Sequence, residues 1–191
     1  MVRFLGITGT PGTGKKTLAP KVAEALGLPV TGLNDLLTKS ERATASVGVD
    51  PAKLRRRLLK RDSRSRVVYG HMVPDVLERR YTQRVVVLRC NPTVLAQRLQ
   101  ARGYPAAKVV GNVEAELIGV VSAACISKFG RGKVAEFDTT SRSVEKSVEA
   151  VRGLLTGAKS AGAPVDWVPS YSSAEKLRSL LSEASTDSAF T

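Results

Sequence analysis

The chain has 191 residues, 42% hydrophobic and 25% charged, a composition that suits one globular domain and excludes a disordered chain. Lys and Arg outnumber Asp and Glu by 30 to 17, and the resulting net charge of +13 favours anionic partners such as nucleotides or RNA. Two cysteines without a CxxC pair argue against a disulfide framework or zinc site and for a reducing cytoplasm. Met1–Ile7 is too short for a signal peptide, and no apolar run approaches the roughly 18 residues of a membrane span.

Phe4–Ile7 reads as a short buried strand that ends in a glycine-rich turn. Leu18, Val22, Ala25 and Leu26 then recur at helical spacing up to Gly27, with Pro20 predicting a local kink instead of a break. Val30 belongs to a second strand, and residues 33–45 and 51–61 read as helices, the latter opening on Asp50-Pro51. Val67–Tyr69 and Val85–Leu88 are the third and fourth strands, apolar enough to be buried on both faces of a parallel sheet. Asn91-Pro92 caps a helix running to about Arg102, and residues 106–128 read as one long helix. Val134–Phe137 is the fifth strand, and 143–155 is its packing helix. A Gly/Ala/Ser-rich linker begins at Gly157, and Ser172-Ser173-Ala174-Glu175 reads as the capping box of a final helix. This alternation predicts βαβ units and an α/β fold with a five-stranded parallel sheet.

Between the first strand and first helix stands Gly9-Thr10-Pro11-Gly12-Thr13-Gly14-Lys15-Lys16-Thr17, a G-x-x-x-x-G-K pattern. Glycines let the backbone wrap a phosphate, its N–H groups point inward, and the helix adds its positive end. Gly12, Gly14, Lys15, Lys16 and Thr17 are therefore the expected contacts for ATP, with Lys15 the mobile charge for the β and γ phosphates. Lys16 occupies the place where this pattern usually carries the Ser or Thr that reaches Mg²⁺. A lysine cannot ligate the ion, so Thr17, water or another residue must serve. The run Thr10–Thr17 is similar to the G-x-P-G-x-G-K-G-T loop of adenylate kinases, with lysine in the glycine slot.

Further segments narrow the likeness. Val67-Val68-Tyr69-Gly70-His71, Arg98-Leu99-Gln100-Ala101-Arg102-Gly103-Tyr104, Gly111–Glu116 and Glu136-Phe137-Asp138-Thr139-Thr140 each resemble segments of the adenylate kinase 6 (Fap7, hCINAP) type. Leu33–Leu36 and Val165-Asp166-Trp167 look like its archaeal members. The resemblance implies a P-loop NTPase domain, three-layer α/β/α and nucleoside-monophosphate-kinase-like, over 1–191. It also implies a monophosphate-binding insertion at 31–50, a lid at 101–111, and a C-terminal linker and short helix at 157–184. Mg²⁺-dependent transfer from ATP to AMP or dAMP is the implied activity, and ribosomal protein uS11 is an implied partner in small-subunit maturation. The chemistry agrees, since an acceptor phosphate needs positioning and charge neutralisation more than covalent help. Lys15, Arg102 and His71, the only histidine, are the catalytic candidates. Arg98, four residues before Arg102 on the same helix face, is a further nucleotide contact.

Tyr69 stands where the family usually has Asp or Glu, leaving Asp35, Asp75 or Asp138 as substitutes for orienting the metal. The basic stretch 53–66 reads as a helix with Leu54, Leu58 and Leu59 inward and its arginines toward solvent or ribosomal RNA phosphates. Two further readings follow: an ATPase switch in ribosome assembly, and a nucleotide-binding protein without turnover.

Overall fold

The structure is a computed structural model that describes residues 3–43, 49–60 and 65–186. Strands β1 (Phe4–Thr8), β2 (Val30–Gly32), β3 (Arg66–Tyr69), β4 (Thr82–Arg89) and β5 (Val134–Asp138) form one sheet in the order β2–β3–β1–β4–β5. Every pairing is parallel, as the alternating pattern requires. The chain leaves β1 toward one edge and returns to β4 on its other side. The loop after β1 therefore opens at the point where the winding reverses, where open parallel sheets bind ligands.

The helices are α1 (Lys15–Ala25), α2 (Lys39–Ala43), α3 (Pro51–Leu59), α4 (Val73–Val76), α5 (Pro92–Gln100), α6 (Ala106–Leu117), α7 (Val120–Phe129), α8 (Val144–Thr156) and α9 (Ala174–Ser185). On one face of the sheet Ile7, Val86 and Leu88 pack with Leu18 and Val22 of α1 and Val151 and Leu155 of α8. On the other, Phe4, Val68 and Val85 pack with Leu54 and Leu58 of α3, Val73 of α4 and Phe129 of α7. Pro20 lies inside an unbroken α1; it merely withholds one backbone donor. No single helix among the described residues is long and apolar enough to cross a membrane.

Three expectations change. The helix expected at 33–45 is a 3₁₀ turn (Leu33–Leu36) followed by α2. Thr38 and Glu41 explain the division: the Glu41 carboxylate accepts from Thr38 N at 2.8 Å while Thr38 Oγ1 accepts from Glu41 N at 3.3 Å, a reciprocal cap that starts a new helix. The helix expected at 106–128 bends by 52° between α6 and α7. Gly119 makes the bend in the left-handed region (φ 69°), and the buried Arg89 takes the freed Glu116 carbonyl through Nη2 at 2.8 Å. The last helix is capped one residue later than expected, with Ser173 Oγ accepting from Lys176 N.

The basic stretch also departs from its expected outward orientation. Arg55 donates through Nε to Val76 O at 2.8 Å and pairs with Glu78 at 3.3 Å. Arg57 grips Glu41 with two bonds of 2.6 and 3.1 Å and donates to Leu36 O. Arg66 is buried in β3, where Nη1 donates to Thr31 Oγ1 at 3.1 Å. The carbonyls and carboxylates around α3 claim these guanidiniums because a planar fork satisfies several acceptors at once. Lys53, Arg56 and Lys60 stay exposed, as does Leu59, while Arg61, Asp62, Ser63 and Arg64 lie outside the described residues.

A third cluster joins Leu95 and Leu99 of α5, Val109 and Val113 of α6, and Leu180 and Ala184 of α9. The final helix is thus a wall of the core against α5 and α6. Leu180 is 1% exposed, so Leu180→Ala is expected to destabilise the protein by about 2–5 kcal/mol, as measured by urea unfolding.

Candidate active site

The loop between β1 and α1 has the conformation that its glycines predict. Gly9, Gly12 and Gly14 have φ of 140°, 95° and 98°. A Cβ on Gly9 would lie 2.3 Å from Leu88 O, and one on Gly12 would lie 2.5 Å from Leu95 Cδ1. The loop is therefore pressed against β4 and α5 too closely for side chains. Thr13 closes the turn, donating through N and Oγ1 to Thr10 O at 3.3 and 2.9 Å. Gly14 delivers the chain into α1, whose positive end faces the open side.

Over this loop lies a cavity of about 500 Å³ lined by Gly12, Gly14, Lys15, Lys16 and Thr17, with Asn34, His71, Arg102 and Tyr104 on its other walls. A cavity of about 170 Å³ lies to one side, where Arg98, Arg102, Thr139, Arg142 and Val144 surround Gly12–Thr17. A smaller one of about 60 Å³ lies toward β2 and β3, where Lys15 and Lys16 meet Asp35, Tyr69 and His71. The fold thus brings Gly12, Gly14, Lys15, Lys16, Thr17, His71 and Arg102 to the central cavity. Arg98 lines the side cavity, but its guanidinium bonds inward, from Nη2 to Thr139 O (3.1 Å) and Thr140 O (2.9 Å) and from Nη1 to Cys90 Sγ. It shapes the wall of that cavity. The shared helix face expected for Arg98 and Arg102 is not formed, because α5 ends at Gln100 and Arg102 is exposed in the following turn.

Lys15 Nζ donates to Gly9 O at 2.6 Å and Thr10 O at 2.8 Å. Burial pushes its pKa down to about 8; the Glu116 carboxylate acts against this shift and the Arg102 charge adds to it. The His71 imidazole is held below its ordinary value by burial and by the Lys15 charge, with Asp75 opposing. It is therefore neutral at pH 7. Tyr69 is raised, first by burial and then by Asp35. Gly32 leaves room for both groups, since a Cβ there would lie 2.5 Å from Asp35 Oδ2 and 2.8 Å from Tyr69 Oη.

Among the described residues no cluster of three or more His, Cys, Asp or Glu could hold a metal by itself. Mg²⁺ ordinarily takes one or two side-chain oxygens plus phosphates and water. The donors present fit that habit, with the Thr17 hydroxyl at the central cavity and the Asp35 carboxylate in the smaller one. Asp138 is engaged by Thr140 N and Oγ1, and Asp75 lines none of the three cavities.

Two features escaped the sequence. Arg142 reaches the side cavity from the loop before α8, with its guanidinium over the Phe137 ring at 5.4 Å. Glu116, buried under the loop, accepts from Thr10 Oγ1 at 2.6 Å and Arg89 Nε at 2.7 Å. A charged residue on an apolar helical stripe was the available signal for Glu116; nothing local marks Arg142.

Fold and site together define a P-loop protein with a phosphate-binding cavity flanked by two side cavities. The AAA domain family model matches residues 5–119. A "Putative adenylate kinase" of Methanocaldococcus jannaschii is 34% identical over 175 residues, 87% of this chain and 94% of that protein. Another, of Thermococcus onnurineus, is 35% identical over 177 residues, 88% and 93% of the two chains. Among solved structures, a gluconokinase from Sinorhizobium meliloti has a TM-score of 0.58 at 18% identity, covering 82% of this chain and 93% of its own. A shikimate kinase from Acinetobacter baumannii has a TM-score of 0.52 at 16% identity, covering 83% and 96%. The chain belongs to the adenylate kinase-like family of P-loop proteins.

Lys15 is charged below its pKa of about 8 and loses its proton above it. Phosphate favours the charged form, so ATP affinity is expected to fall as pH rises through about 8, with proton uptake on binding above that pH. Calorimetry in buffers of different ionisation enthalpy measures both.

Proposed function

We propose that the protein transfers the γ-phosphoryl group of ATP to AMP, a reading that its adenylate kinase-like relatives support. The observation that supports this best is the arrangement of one central phosphate cavity with a separate cavity on each side of Lys15 and the loop. The side bearing Arg98, Arg142 and Val144 takes the adenine of ATP, whose flat face stacks on a guanidinium and an apolar side chain. The triphosphate then lies along Gly12, Gly14, Lys15, Lys16 and Thr17. AMP enters against the 31–50 segment, with its phosphate near Lys16, Asn34 and His71.

An AMP phosphate oxygen is already an anionic nucleophile, so no residue has to remove a proton from it. The chain's task is to hold donor and acceptor in line and to balance charge on the transferring group. Lys15 leaves the Gly9 and Thr10 carbonyls for the β and γ oxygens, and Arg102 approaches from the lid segment 101–111. Lys16 adds a fixed charge beside the acceptor, and neutral His71 donates a hydrogen bond to a phosphate oxygen without acting as a base. Tyr104 and the lid turn restrict water, favouring transfer over hydrolysis. Thr17 and Asp35 are the residues that would hold Mg²⁺, which neutralises phosphate charge when bound. Assistance to small-subunit maturation is a second reading, with uS11 implied by the family resemblance and the exposed Lys53, Arg56 and Lys60 as its rRNA contacts.

A coupled assay with ATP and a panel of nucleoside monophosphates is expected to give ADP fastest with AMP. Lys15→Ala and Arg102→Ala should each lower kcat by about 10²–10³-fold without unfolding the chain. Failure to form ADP from ATP and AMP would refute the kinase.

A further inference from the structure

One buried carboxylate joins the phosphate loop to a part of the chain that phosphoryl transfer does not use. Glu116 is 1% exposed, as is Thr10, the second residue of the loop. Its Oε2 accepts the Thr10 hydroxyl at 2.6 Å. Its Oε1 accepts Arg89 Nε at 2.7 Å, Cys90 N at 3.0 Å and, at 3.4 Å, the indole N–H of Trp167. Trp167 is the only tryptophan in the chain. It belongs to a strap, residues 165–171, fastened along the molecule. Val165 O accepts from Arg89 Nη1 at 2.9 Å, Val165 N donates to Glu136, and Tyr171 Oη donates to Asn91 Oδ1 at 3.0 Å.

We infer that Glu116 is a positioning residue for the phosphate loop, acting through Thr10, and that it couples the loop to the C-terminal strap through Trp167. Thr10 is where the two meet. Its carbonyl accepts Lys15 Nζ and both Thr13 donors, while its hydroxyl is held by Glu116. When phosphate draws Lys15 away, the Thr10 carbonyl loses a charged donor and the hydroxyl bond keeps the residue in place. A buried carboxylate shared among four donors redistributes its bonds when one donor shifts, and the indole N–H, the longest of the four, responds most. Glu116 also supports the charge of Lys15 against burial, whereas Arg102 in the lid turn and His71 beyond β3 face Lys15 as opposing or neutral neighbours and Lys16 adjoins it.

The inference rests on the nucleotide reading of the loop, and the experiment separates the two. The full chain is titrated with ATP, following heat and tryptophan emission, as wild type, Thr10→Val, Thr10→Ser and Glu116→Gln. Wild type should bind ATP with a change in Trp167 emission. Thr10→Val, which removes only the hydroxyl bond, should bind about tenfold more weakly and lose the emission change, whereas Thr10→Ser should keep both. Glu116→Gln should move the alkaline fall in ATP affinity to lower pH, a shift that a purely structural role would not produce. Wild-type binding that Thr10→Val leaves unchanged overturns this inference alone. No binding by wild type overturns the nucleotide site itself and the inference with it. The wild-type titration needs no variant, so unchanged emission at saturating ATP refutes the coupling even where Thr10→Val does not fold.

Discussion

The ion pair between Arg89 and Glu116 organises more of this molecule than any other single interaction. Both side chains are almost wholly buried, at 3% and 2% exposure. Charges removed from water are tolerated only with close partners for nearly every donor and acceptor. Meeting that demand draws distant parts of the chain together. Arg89, at the end of β4, recruits Glu136 from β5, Ser122 from α7 and the Val165 carbonyl from the strap. Its bond to the Glu116 carbonyl lies at the turn where α6 gives way to α7. Glu116 in turn reaches the phosphate loop through Thr10. The loop is therefore backed by a fixed charge while its open side faces the central cavity.

The same demand explains why the net charge of +13 is a poor map of where anions bind. Arg55, Arg57, Arg66, Arg89 and Arg98 bond to the protein itself, each for a different local reason. By contrast Lys15, Lys16 and Arg102 converge on one cavity that has no carboxylate in its lining among the described residues. Burial does most to lower the pKa of Lys15, and repulsion from the Arg102 charge adds to it against the opposing Glu116 carboxylate. A triphosphate would relieve that repulsion, so the site is arranged for charge the chain does not itself provide.

Much of this was written locally. The phosphate loop could be read because glycine at fixed spacing is a backbone requirement, and the third and fourth strands because near-continuous β-branched runs have few other uses. Errors came where a partner distant in sequence decided the outcome. The apolar stretch 106–128 reads as one helix, but Gly119 bends it and Arg89 beneath takes the Glu116 carbonyl at the bend. The run from Lys53 to Arg66 has the composition of a solvated face, but Glu41, Glu78 and the ends of the 3₁₀ turn and α4 turn several of its arginines inward.

By itself the sequence determined the parallel α/β architecture and the phosphate loop, because each depends on short-range geometry or on residue chemistry at fixed spacing, while His71 and Arg102 entered as candidates through the family resemblance. Tertiary structure alone decided that Arg98 bonds inward while Arg102 is exposed at the cavity, that Asp35 lines a cavity with the loop lysines, and that the last helix completes the core. It alone placed Glu116 under the loop. A guanidinium or carboxylate can satisfy its bonds with any suitable partner within reach, and which partner is in reach is settled only when the whole chain has packed.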